Sequence, residues 1–530
     1  MIKFVFFSVL ILYIIIGLIV VKFVQNSKDF YVMGERGSTL LIVGTLSATA
    51  VSSVTLMGIA GQAYAEGPLV IPTLGSFGAW LGMLISIFYV GRKMKAMKIE
   101  TVPKFFEIRF KSAPVSIIAT IIMIIGLIGY GIVDFIGAGL VLSEITGIDF
   151  SMMIIIFTLA IMIFTVLGGM FGVIVSDTVM FITMLAVSVI IIPLIIAQAG
   201  FEPMKNLSET IPNYWTLGGI ENRPFSFSVS QFLLWILFFA VMPAHISRIF
   251  PAKNDFVVLK TGIYAVFLYP ILQVPIFIGA AAMRVLEPNI SDIDNVMIIG
   301  FMKYLSSPVA GIAVAGIMAA IISTASTIFI ILGFSLSRDL LERYVLKDLS
   351  DKRSLILGRL TQTFVAIVAC IIALIRPSAI YWISIYAGAF FAVGWFPTIF
   401  ASFTWKRMNS KAAIASMISG IFVFILTGEL LRYNIISIPF GIDELMISFI
   451  VSVLVLIIVA LCTKPNEYEL SMISNMENTK PHTETINHFK KQSNGGLAKI
   501  KSQYKRVLLT GIVTTIISIA IWSFLIIKLA

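Results

Sequence analysis

The chain has 530 residues, of which 59% are hydrophobic and only 12% charged, with a formal net charge of +11. That balance describes a polytopic membrane protein and excludes a soluble enzyme carrying a single anchor. The positive charge implies no nucleic-acid partner, because Lys and Arg gather in alternate loops, as they do between membrane spans.

Apolar runs of spanning length occur at 4–24, 38–63, 69–91, 115–143, 150–168, 173–199, 228–250, 257–284, 307–337, 355–375, 380–404, 411–433, 443–462 and 507–528, about fourteen spans in all. The first run lacks a small-residue cleavage site and reads as a retained helix rather than a signal peptide. Cys370 and Cys462 fall within or at the end of apolar runs, so no disulfide framework is implied. Basic residues follow the first span (Lys22, Lys28, Arg36), the third (Arg92, Lys93, Lys95, Lys98), the ninth (338–353) and the eleventh (406–411). They also surround the end of the seventh (Arg248, Lys253, Lys260). The opposite loops carry acids such as Glu202, Glu209, Glu221, Glu287, Asp292 and Asp294. The basic side is therefore expected to be cytoplasmic and both termini extracellular, in a multi-pass protein of the plasma membrane.

Two stretches do not read as membrane. TVPKFFEIRFKS (Thr101–Ser112) has Pro103 near a helix start and reads as a short cytoplasmic surface helix. Residues 463–506 form a polar linker, whose basic end KKQSNGGLAKIKSQYKR would favour the anionic lipid of the inner leaflet. His482 and His488 lie in this linker as solvated loop residues, away from any metal-spaced cluster.

The informative residues are polar ones inside apolar runs. TLSATAVSSVTLMG (Thr45–Gly58) carries six hydroxyls in one span. Such a run fits either small residues at a helix contact, bonded back to their own backbone, or a helix that opens to hold an ion and a solute. Pro243, in LLWILFFAVMPAHISRIF, breaks or bends the seventh span, with His245 and Arg248 just beyond it. Two interruptions five spans apart are what two inverted repeats of five helices would produce, and they point to a transporter site between them. In the ninth span Ala320, Ser323, Thr324 and Thr327 share one helical face, with Ser326 beside them. This neutral-oxygen cluster suits a hard cation, although back-bonded hydroxyls at a packed interface would look the same. Asp134 and Asp177 are intramembrane acids, costly unless paired or functional.

Several stretches together resemble the solute:sodium symporter family, which has the LeuT-type inverted-repeat fold. They are KDFYVMGERGS, TLSATAVSSVTLMG, TVPKFFEIRF, LGGMFGVIVSD, PAHISRIFPAKN, AAIISTASTIFIILGFSLSRDLL and WFPTIFASFTWKRMNSKAAIASMISG, from about Lys28 to Gly420. The resemblance implies an all-α fold of 5+5 core helices with extra helices. Its expected divisions are an added N-terminal span (1–27), a first repeat (28–199), an extracellular loop (200–227) and a second repeat (228–405). Two further spans (406–462), the linker (463–506) and a last span (507–530) complete it.

The resemblance also implies Na+ as the coupling ion. Its main site is similar to Ala48 and Val51 at the helix break with Ala320, Ser323 and Thr324. A second site, found in some members, corresponds to Asp177 with Ser323, Ser326 and Thr327, so two sodium ions are expected. Ser52 and Thr55 resemble the Ser and Thr of sialic-acid carriers. Tyr130, Asp134, Trp235 and Tyr386, with Tyr64, are candidate pocket walls. Departures narrow the solute. Sugar carriers have a Glu-Gln pair where Val54 and Thr55 stand. Proline carriers place Asp and Trp where Ala50 and Val54 stand, and the Arg of sialic-acid carriers is replaced by Tyr130. The stretches after Pro243 and at Ala319–Thr324 look most like those of pantothenate and related organic-acid carriers. The expected activity is sodium-coupled import of a small carboxylate-bearing solute by alternating access. A proline-like amino acid or sialic acid is the alternative, and proton coupling a more distant one. No His–acid pair, Cys–His arrangement or metal-spaced cluster offers catalysis.

Overall fold

The computed structural model describes residues 1–21, 32–346, 349–438 and 442–478, with scattered helical residues between 502 and 520. His482, His488, most of the expected linker and most of the last expected span lie outside the described residues. Among the described residues the chain is all helix apart from one isolated bridge between Gly37 and Ala252. In chain order the helices are α1 (Ile2–Val21), α2 (Thr39–Ala50), α3 (Val54–Glu66), α4 (71–96), α5 (Val102–Phe110) and α6 (Ala113–Thr146). Next come α7 (Phe150–Thr165), α8 (Gly169–Ala199), α9 (Phe225–Val241), α10 (Pro243–Ile249), α11 (Asp255–Leu286) and α12 (Val296–Tyr304). The last six are α13 (Ser307–Glu342), α14 (Lys352–Ile375), α15 (Ile380–Thr404), α16 (Ser410–Arg432), α17 (Glu444–Cys462) and α18 (Glu467–Asn478). Among the described residues nine helices are long and apolar enough to cross a bilayer, ten if the bent pair α2–α3 is one span.

Polar caps start the helices where the chain leaves the apolar slab. Asn254, Asn409 and Asp443 accept from the amides of Val257, Ala412 and Met446 at 3.0, 3.0 and 3.1 Å. Each satisfies one of the amides a helix start leaves open. Burial then sorts the bundle. The most apolar window of α13 is 94% buried, against 22% for α16 and 28% for α17. α13 is therefore the central post, packed on α1, α2, α6, α8, α10 and α14. α16 and α17 turn most of their surface to lipid.

Three breaks interrupt the spans. α2 and α3 meet at a 48° bend over residues 51–53. α9 and α10 meet at Met242, whose ψ of 118° leaves the helical region just before Pro243. Gly169, at φ 53° and ψ −163°, divides α7 from α8 in a left-handed conformation that favours glycine.

The short helix α5 differs from a surface helix. Thr101 caps it and Lys111 ends it at φ 48°, but Phe105, Phe106 and Arg109 are fully buried. Arg109 donates to the carbonyls of Ser402, Glu469 and Met408 at 3.2, 3.1 and 3.2 Å. It thereby ties α5 to the α15–α16 turn and to α18. Burial pushes its guanidinium down to about 10, still charged at neutral pH. One of two basic residues in a short amphipathic helix, Arg109 gave no sign in the sequence that it would be an anchor.

On the basic side the segments flanking the two broken spans are strapped together. Gly37 donates to Pro251 O at 2.9 Å, and Lys253 N donates back to Gly37 O at 2.9 Å. A Cβ at position 37 would stand 2.6 Å from Ile42 Cδ1 and 2.8 Å from Pro251 O. Gly37→Val should therefore part the strap at a cost of about 1–3 kcal/mol. Its check is a lower midpoint of thermal unfolding in detergent, with faster labelling of a cysteine placed at Ala252. An unchanged midpoint and labelling rate would show that the strap bears no load.

Candidate functional site

The break between α2 and α3 sits against α13. After Ala50 the backbone turns extended at Val51 (φ −103°, ψ 101°), and the Val51 amide donates to Ser47 O. The carbonyls of Ala48 to Val51 thus belong to a helix end with no following helical turn to donate to them, although Ala50 O accepts from Thr55 Oγ1 at 3.4 Å. α13 packs on α2 and carries Ala320, Ser323 and Thr324, all fully buried. The hydroxyls of Ser47, Ser323 and Thr324 have no hydrogen-bond partner in the protein. A buried hydroxyl left unpaired costs about 1–3 kcal/mol. Three of them beside exposed helix-end carbonyls make a neutral-oxygen donor set of the kind a small hard cation takes. Among the described residues no cluster of three His, Cys, Asp or Glu offers the nitrogen and sulfur ligands a transition metal takes.

The other side of the break is a helix start. Ser52 Oγ accepts from Val54 N at 3.2 Å, and Ser52 O accepts from Thr55 N and Leu56 N at 3.0 and 3.1 Å. Ser52 thus caps α3, while its own O–H remains a donor beside Tyr130 of the cavity wall. Met242 does the same for α10, its carbonyl accepting from His245 N and Ile246 N at 3.1 Å each. The two breaks share one construction.

A narrow cavity opens beside the first break, lined by Ala50, Val54, Thr55, Ile59, Ser76, Ala79, Tyr130, Trp235, Phe239 and Gln273. Of the residues expected to meet the solute, Thr55, Tyr130 and Trp235 are here. Tyr386 is not: it is 48% exposed and packs on Phe390 and Phe424, toward α16. Asp134 does not line the cavity either. It lies behind the break, where its Oδ1 accepts from Ser53 at 2.6 Å. Ser76 and Gln273 were missed. Gln273 stands between Pro270 and Pro275 in α11, and a lone amide flanked by two helix-disrupting prolines in an apolar run was a signal that could have found it. Ser76 gave none.

The cavity is rich in donors. Trp235 Nε1 and Ser76 Oγ are buried without partners. Gln273 Oε1 accepts from Trp80 Nε1 at 2.6 Å, which turns the Gln273 amide nitrogen into a free donor. The walls are otherwise aromatic and aliphatic, so an occupant needs acceptor atoms and an apolar body.

The oxygens expected to hold a second sodium are engaged in part: Asp177 Oδ1 and the Ser323 hydroxyl are buried without partners, and the rest are taken. Asp177 Oδ2 accepts from Thr45 Oγ1 at 2.6 Å and from Arg248 Nη2 at 2.9 Å. Arg248 also donates to Thr327 Oγ1. Thr327 and Ser326 hydroxyls donate to Ser323 O at 2.8 and 3.0 Å. Asp177 and Arg248 are both buried, at 1% and 0% exposure.

The sodium:solute symporter family model matches residues 30–420. The chain belongs to the sodium:solute symporter family. It is a membrane-integral transporter and not an enzyme. Among curated relatives, the osmoregulated proline transporter OpuE of Bacillus subtilis (strain 168) is 26% identical, covering 85% of this chain and 92% of its own. A sodium/pantothenate symporter of Haemophilus influenzae is 25% identical over 79% of this chain and 90% of its own. Among solved structures, a substrate-bound, outward-open Na+-coupled sialic acid symporter superposes at TM-score 0.73 with 19% identity, over 88% of this chain and 98% of that one. Mhp1, a nucleobase-cation-symport-1 family transporter in a closed conformation, superposes at TM-score 0.53 with 15% identity, covering 85% and 99%. These likenesses give the fold, an all-helical LeuT-type architecture.

If Ser323 and Thr324 hydroxyls ligate the coupling ion, Ser323→Ala or Thr324→Ala should leave a folded protein that sodium no longer stabilises. The measurement is the shift in unfolding temperature between sodium and choline chloride. A full sodium-dependent shift in both variants would remove the assignment.

Proposed function

We propose that the chain imports a small carboxylate-bearing organic solute together with sodium, by alternating access, across the plasma membrane. The observation that carries this reading is the break at residues 51–53, with open carbonyls and three unpartnered hydroxyls on one side and a donor-lined cavity on the other. Ion and solute would share one mobile hinge, so binding either would shape the other's site. Ala48, Val51, Ala320, Ser323 and Thr324 would hold the ion. Thr55, Ser76, Tyr130, Trp235 and Gln273 would meet the solute.

The relatives support an acceptor-bearing solute: proline, pantothenate and sialic acid all carry a carboxylate. The donor-rich, arginine-free cavity fits such a group. A proline-like amino acid or sialic acid remains the alternative, weakened by Ala50 and Val54 in the first case and by Tyr130 in the second. We take 28–199 and 228–405 as the two inverted repeats, since Ser52 and Met242 build matching breaks in each. On this reading the basic side, where Gly37 meets Ala252, is cytoplasmic and both termini are extracellular.

Energetics set what the ions can do. A potential of 100 mV contributes about 2.3 kcal/mol per charge and a tenfold sodium gradient about 1.4. Two sodium ions would supply about 5.1 kcal/mol for a monoanion and one only about 1.4. A neutral zwitterion coupled to one sodium would receive about 3.7 kcal/mol. A second sodium, implied by the resemblance, would have to share Asp177 and Thr327 with the Arg248 guanidinium.

Proteoliposomes decide the class. Labelled proline and labelled pantothenate are offered under an inward sodium gradient, then in choline with and without a pH gradient. Sodium-dependent accumulation of a carboxylate is expected. Accumulation driven by the pH gradient in sodium-free buffer would make the chain a proton-coupled carrier.

A further inference from the structure

Arg248 is a full positive charge at the heart of the bundle, and nothing in the transport cycle outlined so far uses it. Its guanidinium reaches four residues on three elements. Nη2 donates to Asp177 Oδ2 on α8 at 2.9 Å and to Thr327 Oγ1 on α13. Nε donates to Thr49 Oγ1 on α2 at 3.4 Å, and Nη1 meets Met170 Sδ, next to the Gly169 break, at 2.8 Å. The side chain is 0% exposed. An unpaired charge at this depth is expensive, so arginine and aspartate form a net-neutral unit.

The position matters more than the pairing. Asp177 and Thr327 are two of the oxygens that a second sodium would need. With the guanidinium on both, an added sodium would give the cluster an uncompensated positive charge in a low-dielectric interior. It would also have to displace a cation that cannot leave, because Arg248 is anchored on α10. Arginine keeps its proton under all ordinary conditions, so this occupant cannot be removed by deprotonation.

We infer that Arg248 is a tethered cation occupying the second ion position, and that this transporter binds one sodium per cycle, at the main site. The inference rests on the sodium-symport reading. It fixes the solute class further: one ion can concentrate a neutral zwitterion on the order of 500-fold and a monoanion only about tenfold, so a zwitterionic carboxylate is the cargo that can be strongly concentrated.

The test counts ions and needs no solute. Purified protein in detergent is equilibrated with radioactive sodium in a choline background, and bound sodium per chain is measured together with the Hill coefficient of a sodium titration by tryptophan fluorescence. Wild type should bind one sodium with a coefficient near one. Arg248→Gln should free Asp177 and bind two, a twofold rise, and Arg248→Gln with Asp177→Asn should return to one. Two ions on wild type would overturn the inference, as would one ion on folded Arg248→Gln. Should Arg248→Gln fail to fold, the wild-type count still decides, and the charge-neutral double variant supplies the folded control. One sodium on wild type, lost in Thr324→Ala and kept in Asp177→Asn with Arg248→Gln, upholds both the main site and the inference. No bound sodium on wild type overturns the symport reading and the inference with it, a result distinct from a count of two.

Discussion

Everything at the centre of this protein depends on one constraint: inside lipid, a helix that stops must have its loose backbone groups met by something other than water. The chain stops two helices in mid-membrane and meets the constraint in two ways. The starts of the second halves are closed internally, by Ser52 and Met242 acting as caps. The end of α2 is not, and α13, packed against it, carries hydroxyls that are equally unprovided for. α13 can serve as the fixed side because it is the most deeply buried of the spans.

Buried charge follows the same logic. Asp177 is matched by Arg248, and Arg109 by three carbonyls. Asp134 has only the Ser53 hydroxyl on one oxygen and nothing on the other. Since Ser53 lies in the break itself, the state of this carboxyl is tied to the shape of the hinge rather than to direct contact with a solute.

Much of this was legible in the sequence because the bilayer imposes blunt rules. Run length marked the apolar helices, about fourteen expected against nine or ten of spanning length among the described residues, and the hydroxyl-crowded run at Thr45–Gly58 and the proline at 243 marked the two breaks. The spacing of Ser323, Thr324 and Thr327 marked one face of α13. What was not legible depends on which helices meet. Nothing in PAHISRIF says that Arg248 reaches Asp177, seventy-one positions earlier. That Ser52 also caps α3 is invisible without a backbone. Tyr386 was an aromatic in a polar-looking turn of α15, and only packing shows that it faces outward. Gln273 and Ser76 reach the cavity from helices whose rotation the apolar pattern does not fix.

The strap between Gly37 and Ala252 has a different kind of consequence. It is made of two main-chain hydrogen bonds, so its strength is indifferent to most side chains around it. What it does require is register: the distance along the chain from Gly37 to α2, and from α10 to Ala252. A one-residue insertion in either connector would misalign both bonds at once, whereas substitutions elsewhere in the connectors would leave them intact. Loop length, more than loop composition, is therefore the quantity that evolution or an engineer would adjust to make this side of the carrier easier or harder to open.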